Sequence, residues 1–137
     1  MSLFHVFDVA GSALTAQSVR LNTISSNLAN ANVASSSAEG AYRARYPVFS
    51  MAISGVLGEQ SAVGVQVDEV VESTAQPRKE YTPGHPMADG DGYVYYSNVN
   101  AVEEMTNMIS ASRSYQSSIE AMNTTKQLII QTLNLGN

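Results

Sequence analysis

The 137-residue sequence contains no cysteine and no tryptophan, and only 14% of its residues are Asp, Glu, Lys or Arg. Without cysteine there is no disulfide framework and no thiolate metal site, and the redox compartment stays open. Seven Lys and Arg against twelve Asp and Glu give a net charge of -5. The broad positive field that holds nucleic-acid phosphates is missing, so nucleic acid is not expected as a partner. Long hydrophobic runs are missing too: none approaches the roughly 18 apolar residues of a membrane span. The amino terminus carries Asp8 and no Lys or Arg before Arg20, which does not read as a cleavable secretory signal. These absences predict a soluble protein without membrane insertion, which would need an export route that reads no cleaved signal. The length suits one folding unit with a modest core.

Charge falls well below the roughly 25% of ordinary domains and is thin at both ends. Segments 1–31 and 101–137 carry only Asp8, Arg20, Glu103, Glu104, Arg113, Glu120 and Lys126. What fills these segments is periodic. Leu3, Phe7, Ala10, Leu14, Gln17, Leu21, Ile24 and Leu28 alternate steps of four and three, a heptad seam. The repeat fades at Asn30, Ala31 and Asn32, so the first helix should end near residue 31. Met105, Met108, Ser112, Tyr115, Ile119, Met122, Lys126, Ile129 and Leu133 form a second seam. Asn100 and Glu103 give it a capping-box-like start, and Gly136 a natural stop.

Between the helices the texture changes. Ser35, Ser36, Ser37 and Gly40 have loop composition. Tyr42 to Ile53 and the group Val65, Val67 and Val70 predict short strands, and Tyr93 to Tyr96 a further one. Asp89-Gly90 and Asp91-Gly92 suit turns that need positive φ. All four prolines (Pro47, Pro77, Pro83, Pro86) lie here, which argues against long regular elements.

Covering either seam is worth on the order of 10 to 20 kcal/mol, so neither is expected to stay in water. The predicted fold is mainly α: two long terminal helices packed as an antiparallel coiled-coil-like pair, with a small β-rich insert. The chain divides into 1–33 and 100–137, the helices of an assembly core, and 34–99, the insert. The outer helix faces carry Ser, Thr, Asn, Gln and Ala instead of Glu, Lys and Arg, and such faces desolvate more cheaply than charged ones. Helix packing on several sides, as in a filament or tube, is the expectation.

The residues that follow carry a resemblance. Ser12-Ala13-Leu14 and Ser26-Asn27-Leu28-Ala29-Asn30-Ala31-Asn32 look like the Asn-Leu-Ala-Asn signature of the bacterial flagellar axial proteins, the rod, hook and hook-associated family. Ala41-Tyr42-Arg43 stands where that family has a small, an aromatic and a basic residue. His85-Pro86-Met87-Ala88, Gly92-Tyr93-Val94 and Ser110-Ala111-Ser112-Arg113-Ser114-Tyr115-Gln116 resemble its proximal rod member more narrowly. The likeness covers about 1–33, 41–50 and 80–136, leaving Met51 to Lys79 unassigned.

The resemblance implies a structural rod subunit of the flagellar basal body that transmits torque from motor to hook and encloses the export channel. It implies export through the flagellar type III apparatus. The implied partners are other rod proteins, the membrane ring or export gate, and copies of the chain itself. Its assembly interface is expected at Leu3, Phe7, Leu14, Leu21, Ile24, Asn27, Leu28, Asn30, Met105, Met108, Arg113, Tyr115, Gln116, Ile119, Met122, Ile129 and Leu133. Within the same class, another axial rod or hook subunit is the rival.

Catalytic and metal chemistry reads weakly. A calcium loop counted from Asp89 needs an acceptor side chain at Tyr93 and a Glu where Asn100 stands. His5 and His85 have no ligand at i, i+4 and no nucleophile motif. A small calcium-binding or hydrolase module around His85, Asp89 and Asp91 is the rival from a different class; the reading favoured is a non-enzyme with no cofactor and no metal.

Overall fold

A computed structural model describes residues 3–54 and 61–135. Helix α1 (Leu3–Asn30) is followed by strands β1 (Ala34–Ser35), β2 (Arg45–Ser54), β3 (Ser61–Glu72), β4 (Arg78–Tyr81) and β5 (Tyr93–Tyr96), and then by helix α2 (Ala101–Leu135). α1 stops where its periodicity fades, with Ala31 N and Val33 N donating to Leu28 O and Asn30 O at 3.3 Å. α2 begins behind Asn100, whose Oδ1 accepts from Val102 N at 3.1 Å and Glu103 N at 3.4 Å. These bonds satisfy two donors that the first turn leaves without helical partners. The expected stop at Gly136 lies outside the described residues.

The expectation of a coiled-coil-like helix pair with a small insert is overturned. About 23% of the chain is strand, in two antiparallel sheets, and the arrangement is helix–sheet–helix. One sheet is the two-stranded ribbon β2–β3; the other is three-stranded, in the order β1–β5–β4. Two physical reasons stand out. First, the residues buried along the helices are mostly small or polar: Ala10, Ala16, Ile24 and Asn27 in α1, and Glu104, Ala111 and Thr125 in α2. Several large seam residues stay exposed, with Met105 at 57% and Leu133 at 67%. Second, β2 and β3 run to 10 and 12 residues, against the expectation of short elements. Pro47 lies inside β2, and a two-stranded ribbon has an unpaired edge on each strand where a missing N–H is tolerated.

The chain forms two compact units. The first comprises Met1–Leu21, Pro47–Glu69 and Ser110–Asn137. In it Ser12 Oγ donates to Val9 O at 2.8 Å and accepts from Val65 N at 3.0 Å, tying α1 to β3. Gly64, at φ +150°, permits that approach, because a Cβ there would collide with Ser12. Ser50 Oγ donates to Asp68 across the ribbon at 2.7 Å.

The second unit comprises Asn22–Tyr46 and Val70–Ile109. Its core joins Ala31, Ala44 and Val99, flanked by Tyr42 and Ala101, and Val94 on β5 is fully buried. β1 pairs Ala34 with Tyr96 and Ser35 with Tyr95, which turns part of the expected Ser-rich loop into an edge strand. β4 pairs with β5 from Arg78↔Tyr96 to Tyr81↔Tyr93. All four β4 residues are exposed, and its charged sequence gives no strand signal. Cross-strand contacts with aromatic rings hold it: Lys79 Nζ lies 3.9 Å from the Tyr93 ring centroid, Arg78 sits 5.7 Å over Tyr96, and Tyr81 meets Tyr93 edge-on at 5.2 Å.

Candidate functional site

The Asn-Leu-Ala-Asn segment builds the polar centre of the second unit. Asn27 is completely buried, and its amide is fully used. Nδ2 donates to Arg45 O at 2.9 Å and to Glu104 Oε2 at 3.2 Å. Oδ1 accepts from Arg45 N at 2.9 Å and from the Tyr42 hydroxyl at 3.0 Å. One side chain thus fastens the start of β2 and reaches the first turn of α2. The other motif residues do different work. Asn30 Nδ2 donates to Ser26 O at 2.8 Å within its own helix, Leu28 is half-buried, and Ala29 is exposed.

Glu104, 1% exposed, is the residue that sequence reasoning missed. It counted only as one of the few charges near a helix start, and nothing local marks it as buried. Its Oε1 is buried without a hydrogen-bond partner among the described residues. Burial first, then the carboxylates of Glu104 and Glu103, raise the Tyr46 phenol above its ordinary value of 10.0. Asn98 was missed as well: Oδ1 accepts from Ala44 N at 2.7 Å and Nδ2 donates to Ala75 O at 2.8 Å.

The Asp89 region is organised as a turn. Asp89 Oδ1 accepts from Asp91 N at 3.0 Å and Tyr93 N at 2.8 Å, and the Tyr95 hydroxyl donates to Oδ2 at 3.2 Å. The Tyr93 bond is the main cause that lowers the Asp89 carboxyl below 3.8. Gly92, at φ +84°, closes the turn. His85 Nδ1 accepts from Met87 N at 3.1 Å, a local loop bond. Among the described residues no group of three or more His, Cys, Asp or Glu is placed to hold a metal ion.

The remaining expected interface residues are spread along both helices. In α1, Ile24 is buried, Leu14 and Leu21 are half-buried and Phe7 is exposed; the Leu3 side chain lies outside the described residues. In α2, Met108, Tyr115, Met122 and Ile129 are half-buried, while Met105, Ile119, Leu133, Arg113 and Gln116 are exposed. Val102 and Ile109, not among the expected residues, add to the exposed apolar surface of α2. Large apolar groups left in water along a helix mark a surface that association can cover. Among the described residues no helix is long and apolar enough to cross a membrane.

Residues 7–34 match the family model "Flagella basal body rod protein", and residues 91–135 match "Flagellar basal body rod FlgEFG protein C-terminal". Both describe proteins of the flagellar basal-body rod, and together they cover most of α1 and all of α2. The chain is 49% identical over 136 residues to the flagellar basal-body rod protein FlgC of Salmonella typhimurium, covering 99% of each chain. It is 48% identical over 136 residues to that of Escherichia coli O157:H7 and 40% identical over 138 residues to that of Buchnera aphidicola subsp. Acyrthosiphon pisum, again covering 99% of each. The chain belongs to the FlgC family of flagellar basal-body rod proteins. It is a structural component of the proximal rod of the flagellar basal body, where its family assembles with other rod proteins.

Proposed function

We propose that the chain enters the rod through the outer faces of its two helices, passing torque from motor to hook and helping to enclose the export channel. Segments 1–33 and 100–137 form the assembly core and segment 34–99 makes lateral contacts. The neighbours are other rod proteins, the membrane ring or export gate, and further copies of the chain. Delivery is through the flagellar type III apparatus without a cleaved signal; the chain inserts in no membrane, binds no nucleic acid, and catalyses nothing. The single observation that carries this reading is the row of large apolar side chains on α2, including Met105, Ile119 and Leu133, that stay exposed.

The test starts from a strain lacking the gene, which should lose the rod beyond the membrane ring and stop swimming. Complementation with Leu21→Asp or Ile119→Asp should fail, because a carboxylate on a helix face that a neighbouring subunit covers is left unpaired. Leu133→Asp supplies a control on folding: its parent side chain is exposed, so the subunit should accumulate normally and still fail to assemble. Motile cells carrying all three variants would sink the reading.

A further inference from the structure

Glu104 is the one charged side chain that is fully buried among the described residues. Its carboxylate receives one hydrogen bond, from Asn27 Nδ2 to Oε2 at 3.2 Å, and Oε1 has no partner. No cation offsets the charge: the ion pair among the described residues joins Arg45 to Glu72, each about half exposed. What remains is the partial positive charge of the first turn of α2. A carboxylate has about four acceptor sites, and removing it from water with so few of them filled costs far more than removing a neutral amide of the same shape. Shape does not require the charge, because a glutamine fills nearly the same volume and accepts the same bond from Asn27. The Asn27 amide also holds Arg45 N, Arg45 O and the Tyr42 hydroxyl, so the unfavourable charge acts on the joint between α1, β2 and α2.

We infer that the buried Glu104 carboxylate is a built-in weak point that keeps the second unit easy to open, so that the chain is readily unfolded for delivery. The inference rests on the export reading above and deepens it by naming the side chain that sets how readily this unit unfolds. Opening relieves the carboxylate directly: once Glu104 moves into water both oxygens are solvated, and Asn27 releases the bond that ties the first turn of α2 to β2. The surrounding core offers little to oppose it. It is built on Ala31, Ala44 and Val99, small side chains whose burial contributes little apolar area.

The test compares the full-length parent with Glu104→Gln. The midpoint of urea unfolding should rise by about 0.5–2 M. In cells, the amount of chain delivered outside the cytoplasm in a set time should fall about fivefold or more, because delivery draws on the open form. Adding Val94→Ala, which leaves a cavity at a fully buried position of the same unit, should bring the midpoint back down and delivery back up. An unchanged or lower midpoint for Glu104→Gln overturns the inference, and so does a raised midpoint with normal delivery. Delivery that stays low after Val94→Ala has returned the midpoint to that of the parent also overturns it, since the carboxylate would then be recognised directly. Failure of the export reading shows differently, as a parent chain that leaves the cytoplasm equally well in cells without the flagellar export apparatus, and that result overturns both.

Discussion

Replacing Asn27 with Ala removes the one side chain that joins α1, the start of β2 and the first turn of α2. Four groups lose a partner: Arg45 N, Arg45 O, the Tyr42 hydroxyl and Glu104 Oε2. The Tyr42 hydroxyl keeps Ser26 Oγ at 3.2 Å, so three groups are left without a replacement bond. At about 1–3 kcal/mol for each buried group left unpaired, the loss is about 3–9 kcal/mol, a large fraction of the 5–15 kcal/mol that holds an ordinary domain folded. With a urea m-value of about 2 kcal/mol/M, the midpoint of unfolding of the full chain, followed by circular dichroism, should fall by about 1.5–4.5 M. Asn27→Asp should be at least as harmful, since an oxygen would then stand where Nδ2 now lies 3.2 Å from Glu104 Oε2. Adding Glu104→Gln to Asn27→Asp restores a donor between the two positions and should recover part of the loss, a coupling that a double-mutant cycle measures. An unchanged midpoint for Asn27→Ala, or no recovery in the double variant, would refute the view that this amide holds the unit together.

Two further expectations test other joints. Gly64→Ala puts a Cβ against Ser12 in a backbone conformation that side chains rarely adopt; it should destabilise the first unit by about 1–3 kcal/mol and strip hydrogen-exchange protection from the Val65 amide. Tyr46 should ionise above 10.0 because its folded value is raised. For a group raised on folding, the stabilising contribution is complete below the unfolded value and is lost as pH rises through the folded one, so Tyr46→Phe should blunt the loss of stability in alkali. A phenol titrating at or below 10.0, followed by NMR, contradicts the cause assigned to it.

Much of this molecule is legible one residue at a time. Heptad spacing marks both helices, the fading repeat at Asn30 marks the end of α1, Asn100 marks the start of α2, and Tyr93–Tyr96 is a strand in the structure as in the sequence pattern. Each is a local signal, set by side-chain spacing, capping chemistry and β-propensity within a few residues. The Asn-Leu-Ala-Asn segment is equally visible, although its spacing does not reveal that Asn27 turns inward while Ala29 faces solvent.

What only the tertiary structure decided depends on partners far along the chain. Strands β1 and β4 exist because Tyr93, Tyr95 and Tyr96 supply a ladder and ring faces for them; Ala34-Ser35 and Arg78-Lys79-Glu80 have no strand pattern of their own. The length of β2 and β3 comes from pairing with each other, which lets Pro47 stay within a strand. Glu104 is buried because Asn27, 77 positions away, gives its carboxylate a donor. The helix seams read as a closed pair because their period is that of one, but period specifies only that an apolar face needs covering. In this chain the buried helix positions are largely Ala, Asn, Glu and Thr, and Met105, Ile119 and Leu133 remain in solvent, since what covers a face is fixed by the surfaces that meet it and not by its spacing.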